Sequence, residues 1–191
     1  MNTLEAITAR RSIRKFKPDP IPEDALNTIL MAASQAPSGK NRQPWRFVVV
    51  KEDQRPEMIR IMQAGINGAV ARGEDPGSSE WTTHVMEQAP VTVFIFNPNG
   101  THPWLAHSIE QNFSELVDTQ SIGAAIQNML LAAVALGLGS LWICDVFYAY
   151  EELCNWLGEK GQMIAAVSFG YPNEAPPARL RKPLSDLVRV K

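Results

Sequence analysis

The reading of the fold turns on Thr119-Gln120-Ser121-Ile122-Gly123-Ala124-Ala125-Ile126-Gln127-Asn128-Met129-Leu130-Leu131-Ala132-Ala133-Val134-Ala135-Leu136. Ile122, Ala125, Ile126, Met129, Leu130, Ala133 and Val134 recur at helical spacing, and Ala124, Leu131, Ala132 and Ala135 make the other faces apolar too. A helix of this kind has to be sheathed nearly all round. A chain of 191 residues, 45% of them hydrophobic, makes one sizeable core, and one core has little material with which to enclose a central helix. The sequence therefore predicts a single domain over 1–191 in which a second copy of the chain supplies part of the sheath, a homodimer.

Outward from that helix, Arg46 to Val50, Val91 to Phe96 and Ile164 to Phe169 are short β-branched or aromatic runs, the first bounded by Pro44 and the charged Lys51-Glu52-Asp53 and the second by Pro90 and Asn97-Pro98. They predict strands, the first two buried on both faces, with Leu141 to Ile143 as a shorter fourth. Asn2 followed by Glu5 starts a capped helix that ends near Arg10. A second helix starts around Pro22, with Glu23 and Asp24 in its first turn and Leu26, Ile29, Leu30 and Ala33 on one face, and Pro37 stops it. Gly68, Gly73, Asp75-Pro76-Gly77 and Ser78-Ser79 give 67–83 a turn-forming composition, read as a surface loop or lid. Pro172, Pro176, Pro177 and Pro183 predict an extended arm over 171–191.

A formal net charge of -2 supplies no global basic field, which argues against nucleic acid or an acidic membrane surface as partner. Asn2-Thr3-Leu4-Glu5 lacks the basic and apolar regions of a signal peptide, and no apolar run is long enough to span a bilayer, so a cytoplasmic protein is expected. Cys144 and Cys154 form neither a Cys-x-x-Cys motif nor a disulfide framework. His84, His102 and His107 do not have the spacing of a helical ligand pair, and no metal is expected.

Four segments carry candidate chemistry. Arg10-Arg11-Ser12-Ile13-Arg14 gathers permanently charged planar donors suited to a phosphate monoester; alone, it is equally a solvated basic surface. Pro37-Ser38-Gly39-Lys40-Asn41-Arg42-Gln43 offers close backbone approach at Gly39 and polar groups for a ring edge, or is a plain turn. It is not a P-loop, because Ser34 stands where the first glycine belongs and Asn41 where Ser or Thr belongs. Gly137-Leu138-Gly139 leads through Leu141 into Trp142-Ile143-Cys144-Asp145, a helix end followed by a short strand and a loop. Arg179-Leu180-Arg181-Lys182 near the terminus is either a second basic cluster or a solvated tail.

Together and in this order, the four segments resemble the nitroreductase family over nearly the whole chain. The resemblance implies an α+β fold with a central, mostly antiparallel sheet flanked by helices, an intertwined homodimer with an extended C-terminal arm, and FMN bound at the dimer interface. Arg10, Arg11, Ser12 and Arg14 then hold the FMN phosphate and ribityl chain, joined by Arg179 and Arg181. Pro37, Ser38, Gly39 and Asn41 come from the other subunit. Trp142, Ile143, Cys144 and Asp145 lie beside the isoalloxazine, with a backbone N–H directed at flavin N5. The implied activity is ping-pong hydride transfer from NADH or NADPH to a small acceptor such as a nitroaromatic or quinone, with no catalytic side chain assigned. A specialised enzyme of the same fold (dehalogenating, flavin-fragmenting or peptide-dehydrogenating) and a non-catalytic, redox-sensing flavoprotein are the alternatives.

Overall fold

The structure, a computed structural model, describes residues 1–191. Its helices are α1 (Thr3–Ala9), α2 (Glu23–Ser34), α3 (Arg55–Ala71), α4 (Ser79–Gln88), α5 (Ile109–Ala135), α6 (Tyr150–Leu157) and α7 (Leu184–Leu187). The strands are β1 (Arg46–Val50), β2 (Val91–Asn97), β3 (Gly139–Ile143) and β4 (Gln162–Gly170), and 3-10 turns occupy Gly39–Asn41 and Asp145–Ala149. The four strands form one sheet in the order β1-β2-β4-β3, antiparallel at every pairing. The expected α+β architecture with a sheet flanked by helices is therefore present.

Alternation along β2 divides the core in two. Val91, Val93 and Ile95 face α2 and α5, where Ile29, Ile122, Ile126 and Met129 are buried with them. Phe94 and Phe96 face the opposite layer of α3, α4 and α6, against Met58, Met62, Ile66, Met86 and Leu153. Every residue of β2 is buried because strands flank it on both sides and helices cover both faces. β1 departs from the expectation of a strand buried on both faces: Arg46 is exposed and Phe47, Val48 and Val49 are half-buried. It is an edge strand, and its outer side has no neighbour.

Residues 67–83 are not one loop. Asn67 to Ala71 complete α3 and Ser79 to Thr83 open α4, so only 72–78 connects them. Met58, Ile61, Met62, Gly65, Ile66 and Ala69 make a buried helical stripe, and its burial outweighs the roughly 1 kcal/mol by which each glycine disfavours a helix. On α4, Ser79, Thr82, Thr83, Val85 and Met86 are buried. α5 likewise starts earlier than the apolar stretch: Ser108 caps it by accepting the Gln111 N–H at 3.1 Å, ahead of first turns that mix polar and apolar residues. Between 121 and 134 no residue of α5 is fully exposed in the single chain. The uncovered apolar side chains are instead Ile109, Phe113 and Leu116, at helical spacing in its N-terminal half. The arm from 171 is irregular except for the single turn of α7.

The close approach of α3 to the turn at 145–149 needs Gly65. A methyl group there would press into Ala149 and the Tyr148 carbonyl oxygen, which are backbone-anchored and cannot step aside. Two effects compete in Gly65→Ala: better helix propensity, about 1 kcal/mol, against overpacking, about 1–3 kcal/mol. Overpacking should win, so the urea midpoint of Gly65→Ala is expected to fall; a rise would mean that the α3 contact is looser than described.

Candidate functional site

α1 ends at Arg10, whose backbone turns out of the helix, and the following residues run extended along the free edge of β3. Ile13 N–H donates to the Ser140 carbonyl at 2.9 Å, and Ser12 pairs with Ser140 in parallel register. Farther on, Phe16 pairs with Pro172, Lys17 N–H donates to the Tyr171 carbonyl at 2.9 Å, and Asn173 N–H to that of Lys15 at 2.9 Å. The strip is thus held by β3 on one stretch and by the start of the C-terminal arm on the next. Both glycines of Gly137-Leu138-Gly139 are explained. Gly137, at φ 75°, closes α5 in the left-handed conformation, with Leu138 N–H donating back to Ala133 at 2.8 Å. Gly139 makes room for the strip, since a Cβ there would lie 2.8 Å from Ile13 Cγ1.

This docking brings the two basic clusters together. Arg10, Arg11, Ser12 and Arg14 face Arg179 and Arg181 across a cleft of about 690 Å³, completed by Ile7 and Thr8 of α1 and by 176–178 of the arm. No carboxylate lines the cleft, and none of its five arginines is paired with one. Arg11 is oriented by donating to the Thr8 carbonyl at 2.7 Å. Arg14 donates to the Ser12 carbonyl at 3.2 Å, and its guanidinium lies 5.5 Å from the centre of the Trp81 ring. The Arg14 main-chain N–H donates to Glu174, 160 positions away. Like charges so gathered repel one another, and an anion with several oxygens relieves them through charge-assisted hydrogen bonds.

Pro37, Ser38, Gly39 and Asn41 do not line this cleft; their loop touches α5 of the same chain through Gly39. Gly39 N–H donates to Ser121 Oγ at 3.4 Å, and Ser38 Oγ accepts the Gln43 N–H at 3.0 Å. The glycine is required here for a helix contact, because a Cβ would stand 2.6 Å from Val117 Cγ1. Lys40, Asn41 and Gln43 all hold left-handed backbones, at φ 54°, 54° and 49°. Such conformations cost about 1–3 kcal/mol each, and the loop is fastened by Arg42, which meets the buried Asp118 at 2.6 Å and Ser114 Oγ at 3.1 Å.

At the end of β3, Trp142 is exposed, while Ile143 and the three residues before Trp142 are buried. Cys144 is a free, exposed cysteine whose thiol is pushed up by desolvation first and by the adjacent Asp145 second. The Asp145 carboxylate accepts Thr82 Oγ1 at 2.6 Å and Ser78 Oγ at 3.2 Å. Tyr148 adds a tether, donating to the Asp75 carbonyl at 2.9 Å. Successive residues of α4 therefore touch both parts of the site, Trp81 at Arg14 and Thr82 at Asp145. Ser78 and Glu174 have no local pattern that marks a contact between residues so far apart along the chain, and from sequence Trp81 reads as ordinary core as readily as it reads as a site residue. No three or more His, Cys, Asp or Glu residues gather where they could hold a metal ion, and no helix is long and apolar enough to cross a membrane.

Comparison with known proteins gives this geometry a family. The model of the nitroreductase family matches residues 7–171. A candidate NADH dehydrogenase/NAD(P)H nitroreductase of Methanothermobacter thermautotrophicus is 30% identical over 94% of this chain and 82% of its own. The 5,6-dimethylbenzimidazole synthase of Rhodospirillum rubrum is 30% identical over 88% of this chain and 81% of its own. Among solved structures, a candidate nitroreductase from Desulfovibrio desulfuricans in complex with FMN superposes with a TM-score of 0.76 at 30% identity, covering 100% of this chain and 97% of the other. That match of residues 7–171 takes in the strip and the whole sheet, and the chain belongs to the nitroreductase family.

Proposed function

We propose that this protein is a homodimeric FMN-dependent oxidoreductase that takes hydride from NADH or NADPH and passes it to a small acceptor such as a nitroaromatic or quinone. The observation that carries the reading is the cleft of five arginines whose guanidiniums have no carboxylate partner. A phosphate monoester fits that donor set: it offers three anionic oxygens to planar guanidiniums and to the Ser12 hydroxyl. The FMN bound by the Desulfovibrio structure, a 30% identical neighbour, supports the same assignment.

In this reading Arg10, Arg11, Ser12, Arg14, Arg179 and Arg181 hold the phosphate and the adjoining ribityl chain. Trp142, Ile143, Cys144 and Asp145 flank the ring system, with main-chain N–H groups as hydrogen-bond donors to it. Pro37, Ser38, Gly39 and Asn41 serve the partner subunit's site, consistent with their lying away from the cleft of their own chain. Bound FMN supplies two-electron chemistry at N5, and the protein's own part is to bind, orient and desolvate. The dimer is supported by apolar side chains that the single chain leaves open: Ile109 at 88% and Phe113 at 68% exposed on α5, and Leu180 at 99% on the arm. The 30% identity to a dimethylbenzimidazole synthase supports a second reading, in which the same cradle serves a specialised flavin chemistry.

Protein saturated with FMN is expected to oxidise NADH or NADPH steadily with a quinone or nitroaromatic, followed by nicotinamide absorbance. No turnover with any acceptor would sink the first reading, and dimethylbenzimidazole formed from FMN would establish the second. Arg11→Ala combined with Arg181→Ala is expected to weaken FMN binding at least about 100-fold, because each lost charge-assisted bond is worth about 1.5–3 kcal/mol. Unchanged affinity in a titration would place the phosphate elsewhere. Cys144 has no redox part in this scheme. At about pH 8 it should alkylate more slowly than free cysteine, and Asp145→Asn should speed it by removing a charge that opposes the thiolate; fast alkylation of the unaltered protein would contradict this.

A further inference from the structure

The helical layer of α3 and α6 holds a second cleft, of about 480 Å³, which shares no residue with the arginine cleft. Its walls are aromatic. Phe147 and Tyr150 stack with centroids 5.4 Å apart and planes 23° apart. Trp104 stands across both, 6.4 Å from Phe147 at 84° and 5.1 Å from Tyr150 at 82°. Trp104 and Phe147, near right angles, make the corner of a cage, with the buried Tyr150 packed behind them.

The corner is rigidly built. Tyr150 Oη accepts the Met163 N–H at 3.0 Å, and burial above all pushes its pKa up to about 12, so the buried ring behind the corner stays neutral. Trp104 belongs to a segment anchored by the buried Glu115, which accepts the Thr101 N–H at 3.1 Å and lies 3.2 Å from His107 Nδ1. The His102 ring backs the corner at 4.9 Å from Trp104 and 5.0 Å from Tyr150. Trp104 is nevertheless 63% exposed, a large aromatic surface held in place yet uncovered by the chain.

The rim is acidic. Arg72, which also lines the cleft, pairs with Glu74 at 2.7 Å and lies within electrostatic reach of Glu152, so one guanidinium stands against three carboxylates and the balance is negative. Glu151 has His102 as its ion-pair neighbour, at 3.4 Å. Aromatic faces carry negative potential and attract cations that have no hydrogen to donate, and carboxylates at the mouth complete the compensation. A cleft of this size suits a small molecule. We propose that it binds a small organic ammonium ion of the quaternary or methylated class. A neutral aromatic ligand would use the walls but gain nothing from the rim, so the pairing of rings with a net acidic rim selects the cation.

The test uses the FMN-loaded protein, choline as probe and its neutral isostere 3,3-dimethylbutan-1-ol as control, read by chemical-shift changes at the tryptophan indole N–H groups. Choline should saturate and bind about tenfold tighter than the alcohol. Trp104→Ala should abolish choline binding, and Glu151→Gln with Glu152→Gln should weaken it several-fold. The Arg11→Ala, Arg181→Ala protein should bind choline normally, so failure here is distinguishable from failure of the flavin assignment. Equal affinity for the two probes, no saturable shift, or choline binding that survives the loss of Trp104 would each overturn the proposal. Should Trp104→Ala not fold, unchanged affinity in the double glutamine variant overturns it as well.

Discussion

The hydrogen bond from Ile13 N–H to the Ser140 carbonyl, made possible by the absence of a side chain at Gly139, is the contact on which the functional half of the molecule depends. β3 is an edge strand, and an open edge presents unpaired main-chain groups. The residues after α1 cover part of that edge and, in doing so, acquire an extended course that carries Arg10, Arg11 and Arg14 toward the chain's other end. The arm then closes on the same strip through Lys17, Tyr171 and Asn173. A covered sheet edge and a concentrated positive cleft are one construction.

That construction is braced by α4. Its first turn is pinned at Asp145 through Ser78 and Thr82, and Trp81 lies beside Arg14. A displacement of the 72–78 connection therefore reaches both the arginine cleft and the end of β3. The opposite side of the sheet is organised differently: α5 lies against α2 and supports the strained loop at 38–43 through the Arg42–Asp118 pair. Loop and cleft belong to separate regions of one chain, which is the arrangement expected if two chains are needed to complete each site.

Much of the sheet was legible in the sequence, for a physical reason. β2 and β4 are β-branched and aromatic runs that carry enough burial to override context, and prolines or glycines bound them. α3 was hidden because Gly65 and Gly68 lower its helix propensity, whereas its stripe of methionines and isoleucines earns its burial only against β2 and the 145–149 turn. α5 was read too short because Glu115 and Asp118 are polar residues buried by partners, Thr101 and Arg42, that no periodicity reveals. Each arginine cluster was visible as composition, but their juxtaposition depends on an edge contact between residues 13 and 140, and only the family resemblance pointed to it beforehand. The aromatic corner was not legible at all, since Trp104 and the 147–150 aromatics meet only through the folding of the segment before α5.

The central claim is that the joined strip and arm form a phosphate seat, and comparing the affinities of FMN and riboflavin for the flavin-free protein tests it most directly. The two ligands share the ring and the ribityl chain and differ only in the phosphate. If the five arginines hold that group, FMN should bind at least about 100-fold more tightly than riboflavin, and the difference should shrink as salt is raised. Equal affinities, insensitive to salt, would contradict the account.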